Sequence, residues 1–221
     1  MDSEFRTVPR LAGWLALVGL MIALSYTSRA TEGKPDPEVL YRWSTAVGGV
    51  IQDGIILLVV LALAGFDRDM LALRRPRSIK QAVGIVLAAV VAIYAFEIVY
   101  SALTHPGNEQ GLTPTRWEPD HAAAYIVNGI VICTVIPFVE ELTYRGLGYS
   151  LLEPYGRWFA IAAVGLLFGL AHGLVLSLPV IAVFGAVLAW IRSVTSSVYP
   201  GMVLHATFNA IALIAAVTIS N

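Results

Sequence analysis

The chain has 221 residues, of which 57% are hydrophobic and only 13% are charged. Because a soluble domain carries about 25% charged residues, this composition indicates an integral membrane protein and argues against a soluble enzyme. The net charge of −1 argues against a nucleic-acid-binding surface, and a single cysteine, Cys133, excludes an internal disulfide and a paired-cysteine metal site.

Seven apolar segments approach the roughly 20 residues that a helical membrane span needs. They cover residues 11–28, 44–65, 80–103, 122–150, 158–175, 178–192 and 199–219. The first could pass for the core of a signal peptide, but more spans follow, so we interpret it as a retained span. The fourth is long and could break into two helices near Pro137. The sequence therefore predicts an all-α transmembrane bundle of seven or eight helices.

The loops predict the orientation of these spans. Loop 66–79 carries four arginines and should be cytoplasmic, whereas loop 104–121 has Arg116 as its one cation and should face outside. The N-terminus is then cytoplasmic. With these boundaries Glu140 is predicted slightly to the cytoplasmic side of mid-membrane, and His172 nearer the external side.

Ionisable groups at membrane depth are functional candidates, and the first set of them lies in the fourth segment. Glu141 and Arg145 are four residues apart, so they share a helix face and can form a charge-assisted pair. Glu140 lies about 100° around the helix and has no obvious partner in the same segment. A structural ion pair would explain Glu141 and Arg145 but not Glu140, which is the better candidate for a general base.

Two further sets contain histidines. Phe168 and His172 are four residues apart, as are His205 and Asn209. Alone, His172 is more often structural than catalytic, and Phe168 is ordinary packing. His205 and Asn209 could donate hydrogen bonds to one anionic oxygen, or could bond across helices. Jointly, the three sets supply a base, a histidine for water and two donors, which are the parts of an amide hydrolase that activates water.

Outside these sets, the polar residues in the spans are isolated. We interpret Asp53, Glu97 and Asn128 as making interhelical hydrogen bonds or lying near the interface. The chain shows no internal repeat and no soluble domain. We divide it into N-terminal transmembrane helices, 1–120, and a helical core that carries the three sets, 121–221, within one integral membrane domain.

The three sets resemble the motifs of a known family. Glu-Glu-x-x-x-Arg at 140–145, Phe-x-x-x-His at 168–172 and His-x-x-x-Asn at 205–209 are similar, in order and spacing, to those of the CPBP family. This family includes the type II CAAX prenyl proteases and bacteriocin-processing or self-immunity (Abi) proteins. The resemblance covers about residues 137–210. It implies an all-helical intramembrane endopeptidase, in a bacterial or archaeal cell membrane, whose substrate is a membrane protein or peptide, for example one with a lipidated or hydrophobic C-terminal tail.

The resemblance also implies a role for each site residue. By family analogy, water is activated by Glu140 and His172, the oxyanion is held by His205 and Asn209, and the site is oriented or shaped by Glu141, Arg145 and Phe168.

Zinc is the alternative to a metal-free mechanism, because the family has been described both as metal-dependent and as glutamate-dependent. Glu140, His172 and His205 could bind zinc with a water in the fourth position. However, Arg145 would place a cation beside the metal, and the chain has no His-Glu-x-x-His. We therefore expect hydrolysis without a cofactor.

Two other functions fit parts of the pattern. A proton-coupled transporter could use Glu97, Glu140 and the histidines as a relay, although transporters often show inverted repeats that this chain lacks. A non-catalytic immunity or scaffold protein would carry a decayed site, but every motif position is occupied here.

Overall fold

The computed structural model describes residues 2–32, 36–106, 109, 114 and 116–218. These residues form helices and no strand, which confirms the predicted all-α bundle. Apart from a short 3₁₀ turn at Val39–Tyr41, the helices are α1 (Asp2–Glu32), α2 (Trp43–Ala64), α3 (Ile79–Thr104), α4 (Pro119–Tyr155), α5 (Arg157–Ala171), α6 (Leu178–Thr195) and α7 (Tyr199–Thr218). The last predicted residue of the seventh span, 219, lies outside the described residues.

Six of the helices are long and apolar enough to cross a membrane, whereas α5 has only 15 residues. The prediction that this span continues to residue 175 is wrong. Gly173 adopts a φ of 66°, a left-handed conformation that ends a helix. At the helical rise α5 is about 22 Å long, short of the roughly 30 Å of hydrocarbon in a bilayer. This helix is therefore too short to cross a bilayer by itself.

The connection between α4 and α5 bears on the predicted depths of Glu140 and His172. Helices α4 and α5 are joined at Gly156, the single residue between them. Glu140 precedes the end of α4 at Tyr155 by the same number of residues that separate His172 from the start of α5 at Arg157. Glu140 and His172 are thus the same number of residues away from one turn, which favours similar depths for the two.

Helix α4 runs unbroken through Pro137, so the alternative of two separate helices is wrong. The helix instead contains two π-helical stretches, Val131–Val135 and Glu141–Gly148. In a π-helix each N–H bonds five residues back and the turn is wider; such stretches are frequent at functional sites. The candidate base and its neighbours lie in the second stretch or directly before it.

The core lies around α4, α5 and α6, with α1 packed on one side. Trp14 of α1 is fully buried and donates its indole N–H to the carbonyl of Thr143 in α4, at 2.9 Å. Helices α5 and α6 approach closely, because Gly165 and Gly185 face one another. Small residues allow such contacts between helices in a membrane.

Candidate active site at the junction of α4, α5 and α7

Pro137 explains the first π-helical stretch and the position of Asn209. The N–H of Ile136 donates to the carbonyl of Val131, five residues back. The carbonyl of Ile132 would next receive the N–H of residue 137, but proline has none. The side-chain amide of Asn209 in α7 donates to that carbonyl instead, at 2.8 Å. The carbonyl of Ile132, which lacks a main-chain donor, therefore fixes the position of Asn209, a predicted site residue.

Glu141 and Arg145 form an ion pair in the interior of the protein. Both side chains are completely buried, and the Nη1 of Arg145 lies 2.9 Å from the Oε1 of Glu141. The Nη2 of Arg145 donates to the carbonyl of Gly185 in α6 at 3.0 Å. The guanidinium also lies 4.2 Å from the centre of the Phe168 ring. The charge of Arg145 is thus neutralised within the core. The guanidinium group of Arg145 contacts residues of α4, α5 and α6 and so connects the three helices.

His205 of α7 lies between the two adjacent glutamates. Its Nε2 is 3.5 Å from the Oε2 of Glu140, and its Nδ1 is 3.3 Å from the Oε1 of Glu141. The Glu140 side chain keeps 17% of its exposure, compared with 4% for His205 and none for Glu141. Glu140 is therefore the glutamate that a substrate or water can reach.

His172 caps the C-terminal end of α5, and its ring position is set by a backbone bond. Its Nδ1 lies 2.8 Å from the carbonyl oxygen of Phe168. A carbonyl can only accept, so Nδ1 carries the proton and the Nε2 of the neutral ring keeps its lone pair. This tautomer can accept a proton from water.

The Phe168 ring connects the two histidines. Its centre lies 4.7 Å from the centre of the His172 ring and 5.8 Å from that of His205, both edge to face. Phe184 of α6 contacts His205 from another side, at 5.3 Å between ring centres. The structure thus brings Glu140, His172 and His205 to one aromatic-walled region.

Asn209 and His205 are not free donors aimed at one point, as the sequence pattern alone would suggest. One amide hydrogen of Asn209 is used by the carbonyl of Ile132, and both ring nitrogens of His205 face carboxylates. Asn209 keeps a second amide hydrogen, since its NH₂ group is a double donor. The oxyanion role of this pair therefore stays a prediction.

Of the isolated polar residues, Asp53 lies on a helix that packs against the site. It is 6% exposed on α2, which contacts the part of α4 around Glu140. A pattern of four-residue spacings could not detect it because it comes from another helix. Asn128 has a structural role, as expected, since its amide donates to the carbonyls of Leu40 and Arg42 at the start of α2. In α3, the Oε2 of Glu97 is buried without a hydrogen-bond partner among the described residues.

Within the described part of the chain, no three His, Cys, Asp or Glu side chains converge as ligands of one metal ion. The zinc set of Glu140, His172 and His205 does not fit this geometry well. Both nitrogens of His205 face glutamates, and Arg145 adds a positive charge close by.

The family model of the Rce1-like type II CAAX prenyl endopeptidases matches residues 122–211. This stretch is less than half of the chain, but it contains every residue of the three motifs. No curated protein and no solved structure matches the chain.

Proposed function

We propose that this integral membrane protein is an intramembrane endopeptidase in which Glu140 and His172 activate the attacking water. The match of residues 122–211 to the Rce1-like type II CAAX prenyl endopeptidases supports this proposal. One observation carries this assignment. Glu141 is wholly buried against Arg145, whereas the adjacent Glu140 keeps an accessible carboxylate beside His205. The pair of glutamates thus divides into a structural residue and a reactive one.

In the proposed mechanism, the carboxylate of Glu140 takes the proton of the attacking water. The Nε2 of His172, left with its lone pair by the bond from Nδ1 to Phe168, accepts a hydrogen bond from the same water and orients it. The oxygen of that water then attacks the peptide carbonyl. The proton held by Glu140 passes to the departing amine, so the base is regenerated.

In this proposal, residues of α7 stabilise the negative charge that develops on the oxygen of the attacked peptide carbonyl. Here the Nε2 of His205 carries a hydrogen and acts as a donor to the oxyanion. The distance of 3.5 Å from this Nε2 to the Oε2 of Glu140 is long for a hydrogen bond, so Glu140 does not occupy the donor fully. The second amide hydrogen of Asn209 supplies another donor. Two donors of this kind, directed at one oxygen, would stabilise an oxyanion in a site that excludes water.

The substrate in this proposal is a peptide or protein that reaches the site at the membrane. A lipidated or hydrophobic C-terminal tail would hold the scissile bond at the depth of Glu140. The orientation with a cytoplasmic N-terminus is part of the same proposal, and so is hydrolysis without a metal ion.

A quenched fluorescent peptide with a farnesylated C-terminal cysteine motif tests the proposal on the purified, detergent-solubilised chain. Glu140→Gln and His172→Gln should each lower kcat by about 10²–10⁴-fold, the range for loss of general-base catalysis. Glu97→Gln is the matched control, since Glu97 is also a carboxylate within a span and has one buried oxygen. It should cleave like the wild type.

The same variants distinguish the transporter alternative. A wild-type protein that moves protons in liposomes, is blocked by Glu97→Gln and cleaves no reporter would contradict the peptidase. Equal cleavage by wild type and Glu140→Gln would contradict the assignment of the base.

A further inference from the structure

The chain between α5 and α6 is irregular and begins directly at His172. A helix supplies partners for its own backbone groups, whereas the N–H and C=O groups of non-helical backbone that packs on a protein need partners from elsewhere. The segment 173–177, named here the post-histidine segment, therefore depends on side chains from other helices.

Hydroxyl groups from α1 and α3 satisfy the carbonyls of this region. The bonds run from Ser25 to Ala171 at 2.7 Å, from Tyr26 to Leu174 at 2.9 Å and from Tyr100 to Leu176 at 2.7 Å. Gly173 packs so closely on α1 that a Cβ there would lie 3.0 Å from Ser25. Both donor helices lie outside the family match.

Glu109, from the connection between α3 and α4, satisfies the N–H groups of the same segment. Its carboxylate accepts from Val175 at 2.9 Å, from Leu176 at 3.2 Å and from Ser177 at 2.7 Å. Arg29 of α1 pairs with it at 2.7 Å, and the Glu109 side chain is only 5% exposed. One carboxylate thus accepts hydrogen bonds from three N–H groups of the post-histidine segment, and its ion pair with Arg29 connects the segment to α1.

We propose that Glu109 is a positioning residue for His172. By holding the post-histidine segment, it keeps the end of α5 in place, and with it the bond from the His172 Nδ1 to Phe168 that leaves Nε2 as an acceptor. The catalytic part of this inference rests on the proposed function, because it requires His172 to act on water. The structural part does not.

A residue that only stabilises the fold would have a different signature. Loss of a purely structural Glu109 would lower the melting temperature and leave the turnover of the folded fraction unchanged. Loss of a positioning residue lowers kcat at constant KM, since the His172 ring is misplaced while substrate binding is not. Loss of a positioning residue must also change the hydrogen bond from the Nδ1 of His172 to Phe168.

The test compares Glu109→Gln and Glu109→Ala with Glu118→Gln in the full chain in detergent. Glu118 is the matched control: it lies in the same connection, but its carboxylate pairs with Arg116 and His121. The measurements are kcat and KM on the farnesylated reporter, hydrogen exchange of the amides at 175–177, and ¹⁵N signals of labelled histidine rings. The spectrum of His172→Gln identifies the His172 signal.

For Glu109→Ala we expect kcat about 10²-fold lower at unchanged KM, the loss typical of a small misplacement of a reacting group. The amides at 175–177 should exchange faster, and the Nδ1 signal of His172 should shift. Glu109→Gln should show the same changes to a smaller extent, because one amide oxygen replaces a carboxylate that binds three N–H groups and Arg29. Glu118→Gln should match the wild type.

Wild-type kcat, exchange and His172 signal in Glu109→Gln would overturn the proposal, and so would a lower melting temperature with unchanged turnover and ring signal. If Glu109→Ala does not fold, Glu109→Gln and Arg29→Met, which removes the ion pair alone, still decide the matter. If the wild type cleaves no reporter, the proposed function fails on its own. Exchange and ring signals then still show whether Glu109 holds His172.

Discussion

The side-chain amide of Asn209 replaces a main-chain hydrogen bond to Ile132 that Pro137 cannot make. The missing N–H of one proline in α4 is therefore supplied by α7, across the site. This bond joins the helix of the candidate base to the helix of the candidate oxyanion donors. A change at Asn209 should affect stability as well as catalysis.

For Asn209→Ala we expect the free energy of unfolding to fall by about 1–3 kcal/mol, because the buried carbonyl of Ile132 is left without a donor. Thermal melting in detergent measures this loss. Thr207→Ala is the control on the same helix; its hydroxyl bonds to Val203 within α7, and its removal should change little. Equal melting temperatures for the two variants would contradict the account.

Glu141→Gln should be far more destabilising than Glu140→Gln. Removing the charge of Glu141 leaves the guanidinium of Arg145 buried and unpaired, which typically costs about 3–5 kcal/mol. The double variant Glu141→Gln/Arg145→Met should recover part of this loss, because it removes both charges. Melting curves of the three variants provide the measurement, and a double variant less stable than Glu141→Gln would count against the pair.

Gly201 is needed for the close approach of α7 to Glu141. A Cβ at this position would lie 2.5 Å from the Oε2 of Glu141, and Arg145 fixes that carboxylate, so it cannot move away freely. Gly201→Ala should cost about 1–3 kcal/mol, as overpacking does. Gly54→Ala in α2 is the control, because a Cβ there meets nothing within 4 Å and alanine favours helix. A Gly201→Ala variant as stable as Gly54→Ala would show that α7 can shift.

The stabilisation by Glu109 should depend on pH. Burial acts to raise the pKa of this carboxyl, but the hydrogen bonds from Val175, Ser177 and Leu176 outweigh burial and hold the pKa below its ordinary value. A group with a lowered pKa in the folded state stabilises fully above its unfolded pKa and loses that effect as the pH falls through the folded one.

The difference in melting temperature between wild type and Glu109→Gln should therefore be constant above about pH 5. It should shrink below the ordinary glutamate pKa of about 4.3. Melting curves across this range measure it. A difference in melting temperature that grows towards acid pH would contradict the prediction that hydrogen bonds lower the pKa of Glu109.

Cleavage should survive strong chelators in the purified protein. Both nitrogens of His205 face glutamates, so this ring would have to leave them before it could bind zinc. Activity of chelator-treated enzyme in metal-free buffer measures this directly. Loss of cleavage that added zinc restores would overturn the metal-free mechanism.

Much of this fold follows from simple sequence patterns. Apolar length predicts the helices, and a spacing of four residues predicts the contact between Glu141 and Arg145, which the structure contains. The first π-helical stretch was not predictable in this way, because the carbonyl of Ile132 finds its partner in another helix. The position of Asn209 follows from that long-range bond and not from its spacing to His205.

The sequence pattern did not reveal Glu109 for a related reason. It comes from a part of the chain outside the three motifs, and it reaches the segment after His172 only through the tertiary fold. The length of α5 was also misjudged, since the apolar run continues past Gly173 although the helix does not. A glycine directly after a helical histidine was the available signal for that end.

Helix α1 contacts both halves of the candidate site. Its Trp14 bonds to Thr143 in α4, and its Ser25 bonds to Ala171 beside His172. The two residues are about three turns apart, so they share one face and are separated by roughly 16 Å along a rigid rod. The spacing between Trp14 and Ser25 on this helix therefore sets the distance between the glutamate motif and the first histidine motif. Lengthening it by one residue between Trp14 and Ser25 would rotate one contact by about 100° and put the two motifs out of register.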